Sequence, residues 1–147
     1  MADQPVIIVS ACLLGVECNH RGLASPTAAV EELRGLARLV PVCPEVAGGL
    51  PTPRTAAEIQ PDGRVLTAGR DDVTDFYRRG AAHAVALATA TGATRAVLKA
   101  RSPSCGCHQV YDGTFSRSRR EGEGVAAAAL RAAGLEVVSE EDLGVPH

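Results

Sequence analysis

From Leu98 to His108 the chain reads Leu-Lys-Ala-Arg-Ser-Pro-Ser-Cys-Gly-Cys-His. Two hydroxyls, two thiols, an imidazole and two cations sit together there. Two further cysteines keep similar company, in Ser10-Ala11-Cys12-Leu13-Leu14-Gly15 and in Cys43-Pro44-Glu45. Cys12, Cys43 and Cys105 each follow an apolar run and each open a polar turn. Thiolates are soft ligands suited to zinc, Cu(I) or iron–sulfur clusters. Structural zinc sites commonly pair their ligands at short spacing and use four in all, whereas these three cysteines are widely separated. A cubane cluster held by three cysteines leaves one iron open to a substrate atom, a Lewis acid with an affinity for sulfur. Cys18, Cys107 or His108 could add a fourth ligand. The competing reading makes Cys12 and Cys43 small buried hydrophobes and leaves only Cys105 reactive. Spacing alone does not separate the two.

Neighbouring groups extend the chemistry. Glu45, two residues past Cys43, is suited to general-base work on a water; the plainer alternative is a surface carboxylate or a partner for Arg54. Ser102 and Ser104 flank Pro103, and either could relay a proton, although serine also serves turns routinely. Lys99 and Arg101 could hold an anion or simply be solvated. His20 and His83 read as surface residues. Gly122-x-Gly124-x-x-Ala127 has the look of a phosphate-binding glycine pattern, but it lacks the preceding strand that such a motif requires, and close packing explains it as well.

The elements that must position these groups alternate in type. Val6–Val9 is a continuous β-branched run, the signature of a strand buried on both faces. Ser25-Pro26 predicts a helix start, with Ser25 as N-cap. Leu39–Cys43 predicts a second strand. Pro61-Asp62-Gly63, flanked by Ala57–Gln60 and Arg64–Thr67, is a hairpin signal. A long helix is expected from about Asp72 to Thr91, with Gly92 as its stop. A strand over 95–98 follows. The charged segment 117–123 reads as mobile. An Ala-rich helix then ends at Gly134, and 135–139 forms a last strand. The implied class is α/β, a single three-layer domain over residues 1–147 with a mainly parallel, Rossmann-like sheet. In such a sheet all carboxyl ends lie on one edge, where ligands bind. Three separate segments can then deliver three thiols to one crevice.

Composition narrows the function. The 147 residues are 46% hydrophobic and 22% charged, enough for one core. Aromatics make up 3%, without tryptophan, and the net charge is −2, which argues against stacking platforms or an electrostatic grip on nucleic acid. No apolar run approaches the length of a membrane span, and no basic, apolar leader opens the chain. A cytoplasmic location is expected, where five cysteines do not form a disulfide framework. The sequence leaves oligomeric state open.

Several motifs in order resemble a small bacterial family whose characterised members are thiouracil desulfidases. They are Ser10–Gly15, Cys43-Pro44-Glu45 with Gly48–Arg54, Asp72-Val73-Thr74, and Ser102–Gly106 with Tyr111–Phe115. The resemblance runs from about Val6 to Glu140. It implies a [4Fe-4S] cluster on Cys12, Cys43 and Cys105, with an open iron that takes the thiocarbonyl sulfur of a thiolated nucleobase or nucleoside. It implies Glu45 as the base that activates water and Ser102 as an aid to proton transfer, in a reaction that releases sulfide without net redox change. One departure stands out: Cys18-Asn19-His20-Arg21-Gly22 occupies a place where the family commonly reads Cys-Arg-Tyr-Asp-Gly. Cys107-His108 is also foreign to the pattern. The alternatives are a non-catalytic metal- or sulfide-binding module and a thiol-redox protein built on Cys105 and Cys107.

Overall fold

The computed structural model describes residues 4–143; the expected domain over 1–147 includes seven residues outside that range. Four strands form a parallel sheet: β1 (Val6–Ser10), β2 (Arg38–Val42), β5 (Arg95–Leu98) and β8 (Glu136–Ser139), in the order β2-β1-β5-β8. Pleating explains the apolar runs, because successive side chains enter opposite layers. Ile8, Val40, Ala96, Leu98 and Val137 pack on one face, against Ala84 and Ala88 of α3 (Thr74–Thr91) and Ala127 and Leu130 of α4 (Val125–Ala132). Ile7, Val9 and Val97 pack on the other face with Leu13 and with Val30 of α1 (Ala28–Glu32). The result is the expected three-layer α/β arrangement. Two antiparallel pairs complete it: β3 (Ala57–Ile59) with β4 (Val65–Thr67), and β6 (Gln109–Tyr111) with β7 (Arg119–Glu121). Among the described residues no helix is long and apolar enough to cross a membrane.

Three expectations change. Thr27, not Ser25, caps α1, its Oγ1 accepting from Val30 N at 3.2 Å. β2 stops at Val42, so Cys43 becomes the N-cap of a one-turn helix, α2 (Pro44–Ala47), with Pro44 at its start. Within the charged stretch, Arg119–Glu121 is a paired strand; all three residues are exposed, which leaves no apolar alternation to signal it.

The helix α2 carries Glu45 and is seated by two glycines. A Cβ on Gly80 of α3 would lie 1.8 Å from Pro44 O, and one on Gly48 would lie 1.9 Å from Phe76 O. The two backbones touch, so neither position has room for a methyl group. Gly80→Ala is therefore expected to lower stability by about 1–3 kcal/mol or more, the usual range for overpacking, read as a lower urea midpoint. An unchanged midpoint would mean that α2 can shift freely.

Candidate active site: a cysteine-lined crevice

The parallel sheet delivers what its topology promised. Just past the carboxyl ends of β1, β2 and β5, the thiols of Cys12, Cys43 and Cys105 line one cavity of about 660 Å³, which Glu45, Ser102 and Ser104 line as well. Cys12 sits in the 3-10 turn that follows β1, Cys43 caps α2, and Cys105 lies in the turn after β5.

That last turn is held from several sides. Lys99 N donates to the buried Ser10 Oγ at 2.9 Å, and Ala100 N to Glu140 Oε1 at 2.7 Å. The first amides of α4 would otherwise lack partners. Instead Val125 N donates to Pro103 O, and Ala126 N and Ala127 N to Ser104 O, at 2.9–3.0 Å. Gly124 has no room for a side chain there, since a Cβ would meet Ser104 C at 2.5 Å. The glycine pattern at 122–127 thus serves close packing, although a strand, β7, does precede it, contrary to the sequence reading. Lys99 and Arg101 line the crevice and are each paired rather than simply solvated, Lys99 with Glu140 at 3.0 Å and Arg101 with Glu141 at 2.8 Å.

Both readings of Glu45 meet in one residue. The side chain is almost fully buried in the site, and it pairs with Arg54, Oε1 to Nε at 2.8 Å. Its Oε2 accepts from Ser104 Oγ at 2.8 Å. Ser102 Oγ lies 3.0 Å from Ser104 Oγ and 3.5 Å from Glu45 Oε2, and it accepts from the amides of Ser104 and Cys105, both at 3.1 Å. With its lone pairs so occupied, the Ser102 hydroxyl is left to donate. A chain runs from Ser102 to Ser104 to Glu45, in which Ser104 makes the closer contact with the carboxylate.

Arg54 organises the surroundings. Besides Glu45 it donates to Cys18 O at 3.0 Å, Pro51 O at 3.2 Å and Thr52 Oγ1 at 3.1 Å, and its Nη2 lies 3.9 Å from Cys43 Sγ. It thereby pulls the loop bearing Cys18, Asn19, His20 and Arg21 onto the cavity, which all four line. Tyr77, buried in α3, also faces the site. Desolvation first, then the charge of Glu45, raises its hydroxyl pKa far above the usual value. No motif flagged Tyr77, which reads from sequence as one more apolar position of a long helix.

The thiols are unequal. Burial, reinforced by Cys43, pushes Cys12 up to about 11. Burial pushes Cys105 up to about 12 against the hydroxyls of Ser10 and Ser104. Cys43 moves the other way, because the Cys18 thiol hydrogen-bonds to it and outweighs the cost of burial. Cys18 is correspondingly raised. In metal-free protein at neutral pH, iodoacetamide should therefore label Cys43 first, because the thiolate is the nucleophile. Cys12 and Cys105 should lag until strongly alkaline pH, and peptide mapping reads the order. Equal labelling of all three would contradict these assignments.

Cys107 and His108 turn away from this cavity and line a second one, with Ser139 and Glu141. All five cysteines are free.

The class is thus a three-layer α/β fold with a thiol-lined crevice at its strand ends and a buried carboxylate beside a serine pair. The chain belongs to the 2-thiouracil desulfurase family, whose profile matches residues 7–142. It is 43% identical to a solved structure described as the [4Fe-4S]-dependent thiouracil desulfidase TudS, with a TM-score of 0.89 over 95% of this chain and 93% of that one. It is 40% identical to the uncharacterized protein YbbK of Bacillus subtilis, over 94% of this chain and 97% of the relative.

Proposed function

We propose that this chain, as one desulfidase-like domain over 1–147, is a cytoplasmic [4Fe-4S]-dependent desulfidase that converts a thiolated nucleobase or nucleoside to its oxo form and releases sulfide. The observation that carries the reading is the meeting of three thiols, Glu45 and two serines in one cavity. The donor set suits the cofactor: thiolates hold iron–sulfur clusters, and Cys12, Cys43 and Cys105 are the residues that would bind it. When bound, such a cluster supplies an open iron as a Lewis acid for the thiocarbonyl sulfur, with no net redox change.

The chain's own residues supply the rest. Tyr111 and Phe115 line the cavity, and their rings could stack on a planar base. The Glu45 carboxylate takes a proton from water as the water oxygen bonds to the thiocarbonyl carbon. The hydroxyl now on that carbon gives up its proton to solvent as the C=O bond forms, and the carbon–sulfur bond breaks with its electron pair leaving on sulfur. Ser104, hydrogen-bonded to Glu45 Oε2, and Ser102 beyond it provide a path that returns the proton to the leaving sulfur. Arg54 fixes the carboxylate by its other oxygen.

The test is iron and sulfide content after anaerobic purification or reconstitution, followed by sulfide release from a panel that includes 4-thiouracil. Iron and sulfide in cluster ratio together with turnover are expected. A loaded cluster without turnover across the panel would leave the non-catalytic metal- or sulfide-binding reading. Absence of a cluster after reconstitution would remove both.

A further inference from the structure

The geometry points to a second, mononuclear metal site on this chain, a zinc site formed by Cys107, His108 and Asp142. One donor atom from each lies within 4.8 Å of the other two. His108 Nε2 is already 2.8 Å from Asp142 Oδ2. The Cys107 thiol is buried and lines, with His108, a cavity of about 410 Å³ whose walls also carry Glu121 and Glu141. It adjoins the crevice that holds Cys12, Cys43 and Glu45, sharing Ala100 and Arg101 with it but none of its cysteines or carboxylates.

Three features make this more than a surface ion pair. The donors are a thiol, an imidazole and a carboxylate, the mixed set that suits a borderline-soft ion such as Zn²⁺ rather than calcium or magnesium. The carboxylate is oriented beforehand, because Asp142 Oδ2 accepts from Ser139 N at 2.8 Å within the capping box of the turn Glu140–Asp142; partners of this kind fix a metal ligand's direction. The imidazole is the adjustable member, since the His108 side chain is 60% exposed. Tetrahedral zinc with these ligands separates donor atoms by roughly 3.3–3.8 Å, so the ion would draw together donors that already lie within 4.8 Å of one another. Binding would replace the His108–Asp142 hydrogen bond with two metal bonds and send the Cys107 proton to solvent. Water would complete the four-coordinate site.

The site also explains a sequence feature that the desulfidase reading does not use. Cys107-His108 follows the Ser102–Gly106 turn directly, and Asp142 lies just past β8. A bound ion would fasten the turn that carries Cys105 to the carboxyl-terminal segment, where Lys99–Glu140 and Arg101–Glu141 already join the same two stretches.

The proposal is independent of the cluster, and the test separates them. Cluster-loaded protein is dialysed against Zn²⁺, passed through gel filtration, and its zinc and iron are counted; X-ray absorption at the zinc edge then reads the ligands. About one zinc per chain is expected, with a single sulfur neighbour and the remainder nitrogen or oxygen. Cys107→Ser should abolish retention and leave iron content unchanged. His108→Ala, at an exposed position that the fold does not depend on, should weaken zinc binding at least about tenfold. Cys12→Ser should lose iron and keep the zinc. The proposal is overturned if wild type retains no zinc, if the bound zinc has three sulfur neighbours, or if Cys107→Ser and His108→Ala bind as wild type does.

Discussion

Glu45→Gln is expected to retain the cluster and lose turnover by about 10²–10⁴-fold, the usual contribution of a positioned general base. The substitution keeps the shape and exchanges the chemistry. The introduced side chain can still accept from Arg54 through its oxygen, and its amide can face Ser104. That amide donates where the carboxylate accepted, so Ser104 must reverse its hydrogen bond, and no group remains to take a proton from water. Stability should fall as well, because the buried Arg54 loses its counter-charge, although it keeps Cys18 O, Pro51 O and Thr52 Oγ1 as hydrogen-bond partners. The measurements are iron stoichiometry and sulfide release on the same preparation. Full iron with more than half the activity would remove Glu45 from the reaction and leave it a structural partner of Arg54.

The three dispersed thiols were legible because the physics behind them is short-ranged. Val6–Val9 and Arg95–Leu98 are runs dominated by apolar residues, and strands covered on both faces suit such runs. Once they are parallel, the polar turns that follow them share an edge. The convergence of Cys12, Cys43 and Cys105 on one cavity is a consequence of topology. Boundaries were less legible. α2 spans four residues, too few for a helical period to show, so Cys43 read as the end of a strand rather than a cap.

What the sequence did not disclose is how distant loops fall onto that edge. Cys18 lies in a stretch with no periodicity, and it reaches the site because Arg54, far along the chain, holds its carbonyl. Tyr111 and Phe115 reach the cavity rim in a comparable way. Glu58 Oε1 accepts from Gly113 N at 3.0 Å and Phe115 N at 3.2 Å, so the β3–β4 hairpin holds the loop that bears them. The ranking of the two serines was likewise out of reach. Ser102 and Ser104 are equivalent in composition, and only the fold places Ser104 nearer to Glu45 and engages Ser102 with two backbone amides.

Arg54→Ala should be the more damaging substitution for the fold. The Glu45–Arg54 pair is buried, with side chains 10% and 7% exposed, and removing one member of a buried pair typically costs about 3–5 kcal/mol because the other charge is left unpaired. The loss is asymmetric. Without Arg54, the carboxylate keeps only the Ser104 hydroxyl as a close partner, Cys18 O loses its donor, and Cys43 Sγ loses a nearby cation. With roughly 2–4 °C per kcal/mol for a chain near this size, the melting temperature should fall by about 10 °C. Arg54→Lys should recover only part of it. A single ammonium can balance the charge of Glu45, but it cannot span Glu45, Cys18, Pro51 and Thr52 as a planar fork does. The Cys18–Arg21 loop should then loosen even where the fold survives, and iodoacetamide should reach Cys18 faster in the Arg54→Lys variant than in wild type. If Arg54→Lys retains both the wild-type melting temperature and the protection of Cys18, charge alone is what the site needs, and the guanidinium's several contacts contribute nothing to holding that loop.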